Sequence, residues 1–255
     1  MFFWKKSNTV TITCFTKQPG LAELYPPKRL VKDIPDWWKD IPSTISNKEL
    51  AKHEKKPIGP AHSEKLNKTV KHCYAIQKLW EKAISIPMWS DQIVAITPEK
   101  KSFGASPNGF GGQQHPEWQY PGAVGKDWVN WKMNSPWLIY TDKPAHFYMA
   151  DPFYHNPDHQ WHTMPGVIEF YYQHHSNINL VLRKPPRDDV GIQYEFRPGD
   201  TLAYMLPMFE GEYKINVETI SDKEYEALEY AQKISFSAAT FSRKNNLGGC
   251  PFHRK

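Results

Sequence analysis

Cysteine is scarce: Cys14, Cys73 and Cys250 are the only three, odd in number and far apart. They make no disulfide framework, and no CxxC pair marks a zinc site or a redox centre. A reducing, cytoplasmic setting is therefore expected. Long apolar runs are missing as well. None approaches the ~20 residues that a membrane helix needs, so no membrane partner is expected. The opening Met1-Phe2-Phe3-Trp4-Lys5-Lys6 puts its lysines after the apolar residues, the wrong order for a signal peptide. Charge of one sign is not in great excess either, since 32 basic against 27 acidic side chains leave only +5. Much of that surplus is Lys48, Lys52, Lys55, Lys56, Lys65, Lys68 and Lys71, which reads as a solvated face. Without an RGG tract, a zinc knuckle or a recognition helix, specific nucleic-acid binding is not expected. A Ser-His-Asp elbow, a P-loop and a dinucleotide fingerprint are also missing.

Glycine is sparse at 14 residues, whereas proline reaches 22 and aromatic side chains make up 14% of the chain. Prolines break helices and central strands, so the balance favours short strands, ordered turns and a core of large rings. At 255 residues the chain suits one β domain. The expected fold class is mainly β: an antiparallel β-clip or jelly-roll-like barrel or sandwich with two peripheral helices. Val10, Ile12 and Cys14 alternate with threonines over 9–16, a strand with one buried face. Residues 1–65 read as a proline-rich wrap, in which Trp37 and Trp38 clamp an irregular segment and 43–65 form a polar excursion. Leu66, Val70, Cys73, Ile76, Leu79, Trp80 and Ala83 fall at helical steps, predicting a helix over 66–85. A β core spans 91–210, with short strands at 91–97, 137–140, 146–149, 166–172, 178–183, 193–196 and 201–206. Residues 102–124 read as a Gly/Pro-rich loop through Asn108-Gly109 and Gly111-Gly112. Ser221-Asp222-Lys223-Glu224 is a capping box that predicts a helix over 221–233, before a polar tail at 235–255. Alternation and turn chemistry further predict that 166–172, 178–183 and 201–206 are adjacent strands of one barrel.

Two resemblances come with particular residues. Gly166-Val167-Ile168-Glu169-Phe170-Tyr171-Tyr172, then Asn179-Leu180-Val181-Leu182, then Pro198-Gly199-Asp200-Thr201-Leu202-Ala203 resemble the second half of the dUTPase/dCTP-deaminase β-clip barrel. That resemblance covers about a fifth of the chain. It implies a catalytic pair, with Glu169 in the place of the water-activating acid and Tyr172 where a tyrosine stacks under the sugar. Tyr204 stands where the family has glutamine. Ala150-Asp151-Pro152-Phe153 occupies the place of the family's phosphate-binding motif, and Asp151 would repel a triphosphate, so dUTP hydrolysis at a typical dUTPase rate is not expected. A second set is Asp36-Trp37-Trp38-Lys39, Thr69-Val70-Lys71-His72-Cys73, Ile86-Pro87-Met88-Trp89-Ser90-Asp91, His115-Pro116-Glu117-Trp118-Gln119 and Ser135-Pro136-Trp137. In that order it resembles an uncharacterised family of marine bacteriophage and bacterial proteins. This resemblance implies a viral gene product, in the host cytoplasm or associated with the virion, and brings no activity with it.

Candidate functional residues follow from side-chain chemistry. His146, His155, His159, His162, His174 and His175 crowd into thirty positions. Imidazoles suit iron or zinc, so a divalent metal held by His146, His155, His159 and His162 with Asp151 is one expectation. The alternative is that the loop histidines are simply polar surface. His115 and Gln119 flank Trp118 in a glycine-rich loop and are candidates for ligand binding. Alternatively Trp118 anchors that loop while its neighbours satisfy backbone groups. Strand alternation puts Glu169 with Val167 and Tyr171, opposite Ile168, Phe170 and Tyr172. It then faces either a pocket, as a general base, or solvent, paired with Arg183 or Lys184. Two classes of function remain open. One is a binding or assembly protein with a small-molecule or protein ligand, or a homo-oligomer. The other is an enzyme, either a divergent nucleotide-processing β-clip protein or a His-ligated metal enzyme.

Overall fold

A computed structural model describes residues 9–54, 65–99, 101–106, 111–119, 122, 125, 127–156, 158, 160–171, 175–185 and 189–229. The chain divides into two compact units, one made of residues 1–28 with 84–255 and the other of residues 29–83.

The fold is mainly β, as expected, with most strands paired antiparallel. In chain order the strands are β1 (Val10–Thr16), β2 (Lys28–Arg29), β3 (Thr44–Ser46), β4 (Leu66–Lys68), β5 (Ile84–Pro87), β6 (Gln92–Ile96), β7 (Ser102–Ala105) and β8 (Gly112–Gln114). They continue with β9 (Trp128–Met133), β10 (Leu138–Thr141), β11 (His146–Ala150), β12 (Trp161–Thr163) and β13 (Gly166–Glu169). The last are β14 (Ile178–Arg183), β15 (Ile192–Phe196), β16 (Thr201–Pro207) and β17 (Tyr213–Thr219). In the larger unit the strand orders are β10-β1-β17, β13-β11-β16-β5, β12-β14-β9-β8 and β15-β6-β7. The sheets form a sandwich, with no closed barrel among the described strands. The pair β1–β17 runs parallel from Val10↔Tyr213 to Thr16↔Thr219 and joins the two ends of the larger unit.

One apolar core fills this unit, drawn from Ile12, Ile86, Trp131, Phe147, Leu180 and Met205 among others. Trp161 meets Phe196 edge-on at 5.5 Å, packing β12 against β15 of the neighbouring sheet. Two strands, β7 and β8, lie where the glycine content predicted a loop. The reason is steric: a Cβ on Gly104 or Gly112 would fall on the Trp131 ring, so these glycines admit the indole rather than mark turns. Asn108-Gly109 lies outside the described residues.

The barrel expectation for 166–172, 178–183 and 201–206 is corrected. β13 and β16 both pair with β11, whereas β14 lies in another sheet between β12 and β9. The turn before β16 forms as its residues require. Gly199 takes φ 93°, Asp200 N–H donates to Arg197 O, and the Asp200 carboxylate accepts from Arg197 N–H at 2.8 Å.

The smaller unit corrects three expectations. Residues 66–85 are not one helix: β4 pairs with β3, a 3-10 turn covers Val70–His72, and a helix forms only over Tyr74–Lys82. Thr69 causes the break, because its hydroxyl accepts from Lys71 N–H and donates to Pro42 O at 2.6 Å. Asp36–Asp40 is helical rather than irregular, and it buries Trp38 edge-on against Trp80 at 5.6 Å. The polar stretch holds the helix Asn47–Glu54, capped by Ser46 and Glu49. With these, helices outnumber the two expected. Residues 222–229 are helical behind the Ser221–Glu224 box, as the capping signature predicts. No helix among the described residues is long and apolar enough to cross a membrane.

Candidate functional site

The predicted site residues separate into pairs. His146 and Glu169 face each other across β11 and β13, with His146 Nε2 3.7 Å from the Glu169 carboxylate. Glu169 shares the outer side of β13 with exposed Val167, opposite buried Phe170, as alternation required. His155 closes the turn after β11 by donating its N–H to Pro152 O, and its Nδ1 lies 2.6 Å from the Tyr204 hydroxyl. His115 Nδ1 bonds Gln119 Oε1, while His115 N–H donates to Asn130 O. Trp118 does not anchor that loop, since 75% of it is exposed. Tyr172, His159 and His174 lie outside the described residues.

Among the described residues no set of three or more His, Cys, Asp or Glu converges as a metal ion needs. Strand geometry gives the reason for His146, which lies five residues up β11 from Asp151, roughly 16 Å away at ~3.3 Å per residue.

Asp151 and His162 do come together, and they lead to a larger constellation. Asp151 Oδ1 accepts from Thr163 N–H at 2.8 Å, and Oδ2 lies 3.2 Å from His162 Nδ1. The carboxylate thus ties the end of β11 to β12 and fixes the imidazole. Register places the rest: His162 is opposite Val181, which is opposite Asn130, while Lys132 is opposite Asn179 and Trp128 opposite Arg183. Paired residues share a face, so all of these stand on the side of the β12-β14-β9-β8 sheet that turns away from Leu180, Leu182, Val129 and Trp131. The Trp128 and His162 ring centroids lie 5.5 Å apart.

On that face Asn130 is the exceptional residue. It is 6% exposed while its neighbours Trp128 and Lys132 are half-buried, and both polar atoms of its amide are sealed from solvent. Among the described residues neither its Nδ2 nor its Oδ1 meets a hydrogen-bond partner, and the buried Oδ1 of Asn179 meets none either. Gln92 is similarly unpartnered, but it points into the core between the sheets rather than onto this face. Asn130, Asn179 and Trp128 were not among the residues singled out from the sequence. The readable signal was the alternation Trp128-Val129-Asn130-Trp131-Lys132-Met133, in which every second residue is apolar.

In comparisons with known proteins, no family model, no curated protein and no solved structure matches the chain.

Proposed function

We propose that this protein is a binding protein whose β scaffold presents the outer face of the β12-β14-β9-β8 sheet to a small ligand. The observation that carries this reading is the pair of unpartnered amide atoms on buried Asn130. An unsatisfied buried amide costs about 1–3 kcal/mol, and buried polar groups in folded proteins are nearly always bonded. A ligand that displaces what seals these atoms and completes their bonds would account for the residue's retention. Around it stand the aromatic wall of Trp128 and His162, the amide of Asn179 and the cation of Lys132. The marine-phage resemblance adds the proposal of a viral gene product.

The test is stability without ligand. Asn130→Leu and Asn130→Val remove the orphaned dipoles at similar volume, so urea denaturation is expected to show a gain of about 1–3 kcal/mol. A gain in either variant supports a residue kept for binding. A loss in both means that the amide is satisfied structurally, and the reading fails.

A second, enzymatic reading is favoured by one observation, the contact of Asp151 with His162. A carboxylate on Nδ1 orients an imidazole so that Nε2 can exchange protons. Turnover of a bound ligand that disappears in His162→Gln while binding persists would select this reading.

A further inference from the structure

We propose that a cavity elsewhere in the larger unit, lined by Tyr25 and Trp89 and carrying the Asp91 carboxylate, binds an alkylated ammonium ion of the choline class. None of its residues belongs to the face described above, so the inference goes beyond that reading and stands independently of it.

The cavity has a volume of about 300 Å³, at the lower end of the range in which proteins hold small molecules. Four segments distant in sequence build it: the turn and short helix after β1, the stretch between β5 and β6, Pro136 before β10 and Pro198 before β16. Local chemistry makes these walls stiff. Gly20 takes φ 77° and leads into the helix Leu21–Leu24, after which Tyr25 donates its N–H to Leu21 O at 3.0 Å. Met88 and the turn before β16 exchange backbone bonds, Met88 N–H to Asp200 O at 2.7 Å and Gly199 N–H to Met88 O at 2.9 Å. The Tyr25 ring lies against Gly199, where a Cβ would come within 3.4 Å of it. Walls already held in place lose little freedom when a ligand enters.

The lining selects the ligand. Two aromatic residues contribute, half-buried Tyr25 and the more deeply seated Trp89, with Leu24, 69% exposed, as an apolar rim. Among the described lining residues Asp91 is the one charged group; it is exposed, and no Lys or Arg lines the cavity with it. Aromatic faces carry negative potential, so rings beside a carboxylate, with no base to oppose them, favour a cation. Hydrogen-bonding side chains are few. Besides Asp91 and the Tyr25 hydroxyl there are Gln18 and Ser90, and Ser90 Oγ already lies 3.2 Å from Ser106 Oγ. A primary ammonium or a guanidinium brings several N–H donors that each need an acceptor. A trimethylammonium brings none, spreads its charge over its methyl groups, and packs them on rings and prolines.

Ligand-observed NMR titration of the full chain tests this with choline and its neutral isostere 3,3-dimethylbutan-1-ol, in which carbon replaces the nitrogen. Choline should bind about tenfold tighter, the combined effect of the rings and Asp91. Asp91→Asn, a change at an exposed position, should remove most of that preference and leave the isostere's affinity unaltered. Tyr25→Leu should weaken choline at least about threefold, and methylammonium and guanidinium should bind more weakly than choline. Phosphatidylcholine vesicles carry the same trimethylammonium group on a membrane. Sedimentation of the protein with them assigns a lipid headgroup as its source, and choline binding without it assigns the free molecule. Equal affinity for choline and its isostere overturns the cation assignment, as does a preference that persists in Asp91→Asn. Absence of choline binding up to about 10 mM overturns the site itself.

Discussion

Tyr204 is almost wholly enclosed, yet its hydroxyl ends 2.6 Å from His155 Nδ1. A buried phenol needs such a partner, and the bond holds the turn Pro152–His155 over β16. Tyr204→Phe keeps the ring and removes the bond, so it should lower stability by about 1 kcal/mol. Hydrogen exchange should show the His155 amide, which donates to Pro152 O, opening faster than in the parent. Unchanged exchange there would mean that the turn is held by other contacts. His155 thus has a packing role that its imidazole did not advertise. Whether a histidine is a ligand, a base or a strut depends on what lies within 3 Å of it, and that is a tertiary property.

At the scale of elements, glycines govern how β9 meets its neighbours. Gly104 on β7 and Gly112 on β8 each leave room for the Trp131 ring where any other side chain would collide. Gly104→Ala should therefore destabilise by about 1–3 kcal/mol through overpacking. Trp131→Phe, which shortens the ring, should recover part of that loss in the double variant. A purely additive double-mutant cycle would show that the residues do not touch. This packing also bears on the candidate site, because Trp131 and Asn130 are adjacent on one strand. A ring seated in the core orients the following and preceding residues outward. Capping boxes show what local sequence does and does not reveal. Ser221–Glu224 and Ser46–Glu49 make the same reciprocal bonds. Only the first stands out in the sequence, because an apolar helical stripe follows it, whereas Asn47–Glu54 is polar.

For the larger unit as a whole, ionisation of buried groups sets the behaviour in alkali. Burial pushes Tyr194 and Tyr225 up to about 12, and it pushes the Cys14 thiol up to about 12 as well. In the unfolded chain, tyrosine ionises near ~10 and cysteine near ~8.5. Between those values and about 12 the unfolded state has lost protons that the folded state keeps, so stability falls as pH rises. Urea midpoints should hold up to about pH 8, begin to decline near pH 9 and drop more steeply from pH 10 to 12. Tyr194→Phe should make the upper part of that decline shallower, and an unaltered slope would show that Tyr194 ionises as readily when folded as when unfolded. Tyr194 also donates its hydroxyl to Arg183 O at 2.5 Å, so the same group ties β15 to the end of β14.

By itself the sequence determined the β class, most strand positions from 137 onward, the Pro198–Gly199 turn and the helix behind Ser221. Each of these rests on local rules: alternation, fixed proline φ, positive φ at glycine and reciprocal capping. The same rules placed Glu169 on the outer side of its strand. Only the tertiary structure decided which strands are neighbours. It set the parallel pair β1–β17, put β13 and β14 in different sheets, and separated His146 from His162. Pairing over long sequence separations depends on which apolar faces fit together, and no local pattern encodes that fit. The candidate site is a product of the same step. Cross-strand register gathers His162, Asn130 and Asn179 from three strands onto one face, and side-chain bonds tie Asp151 to His162 and to the backbone of Thr163.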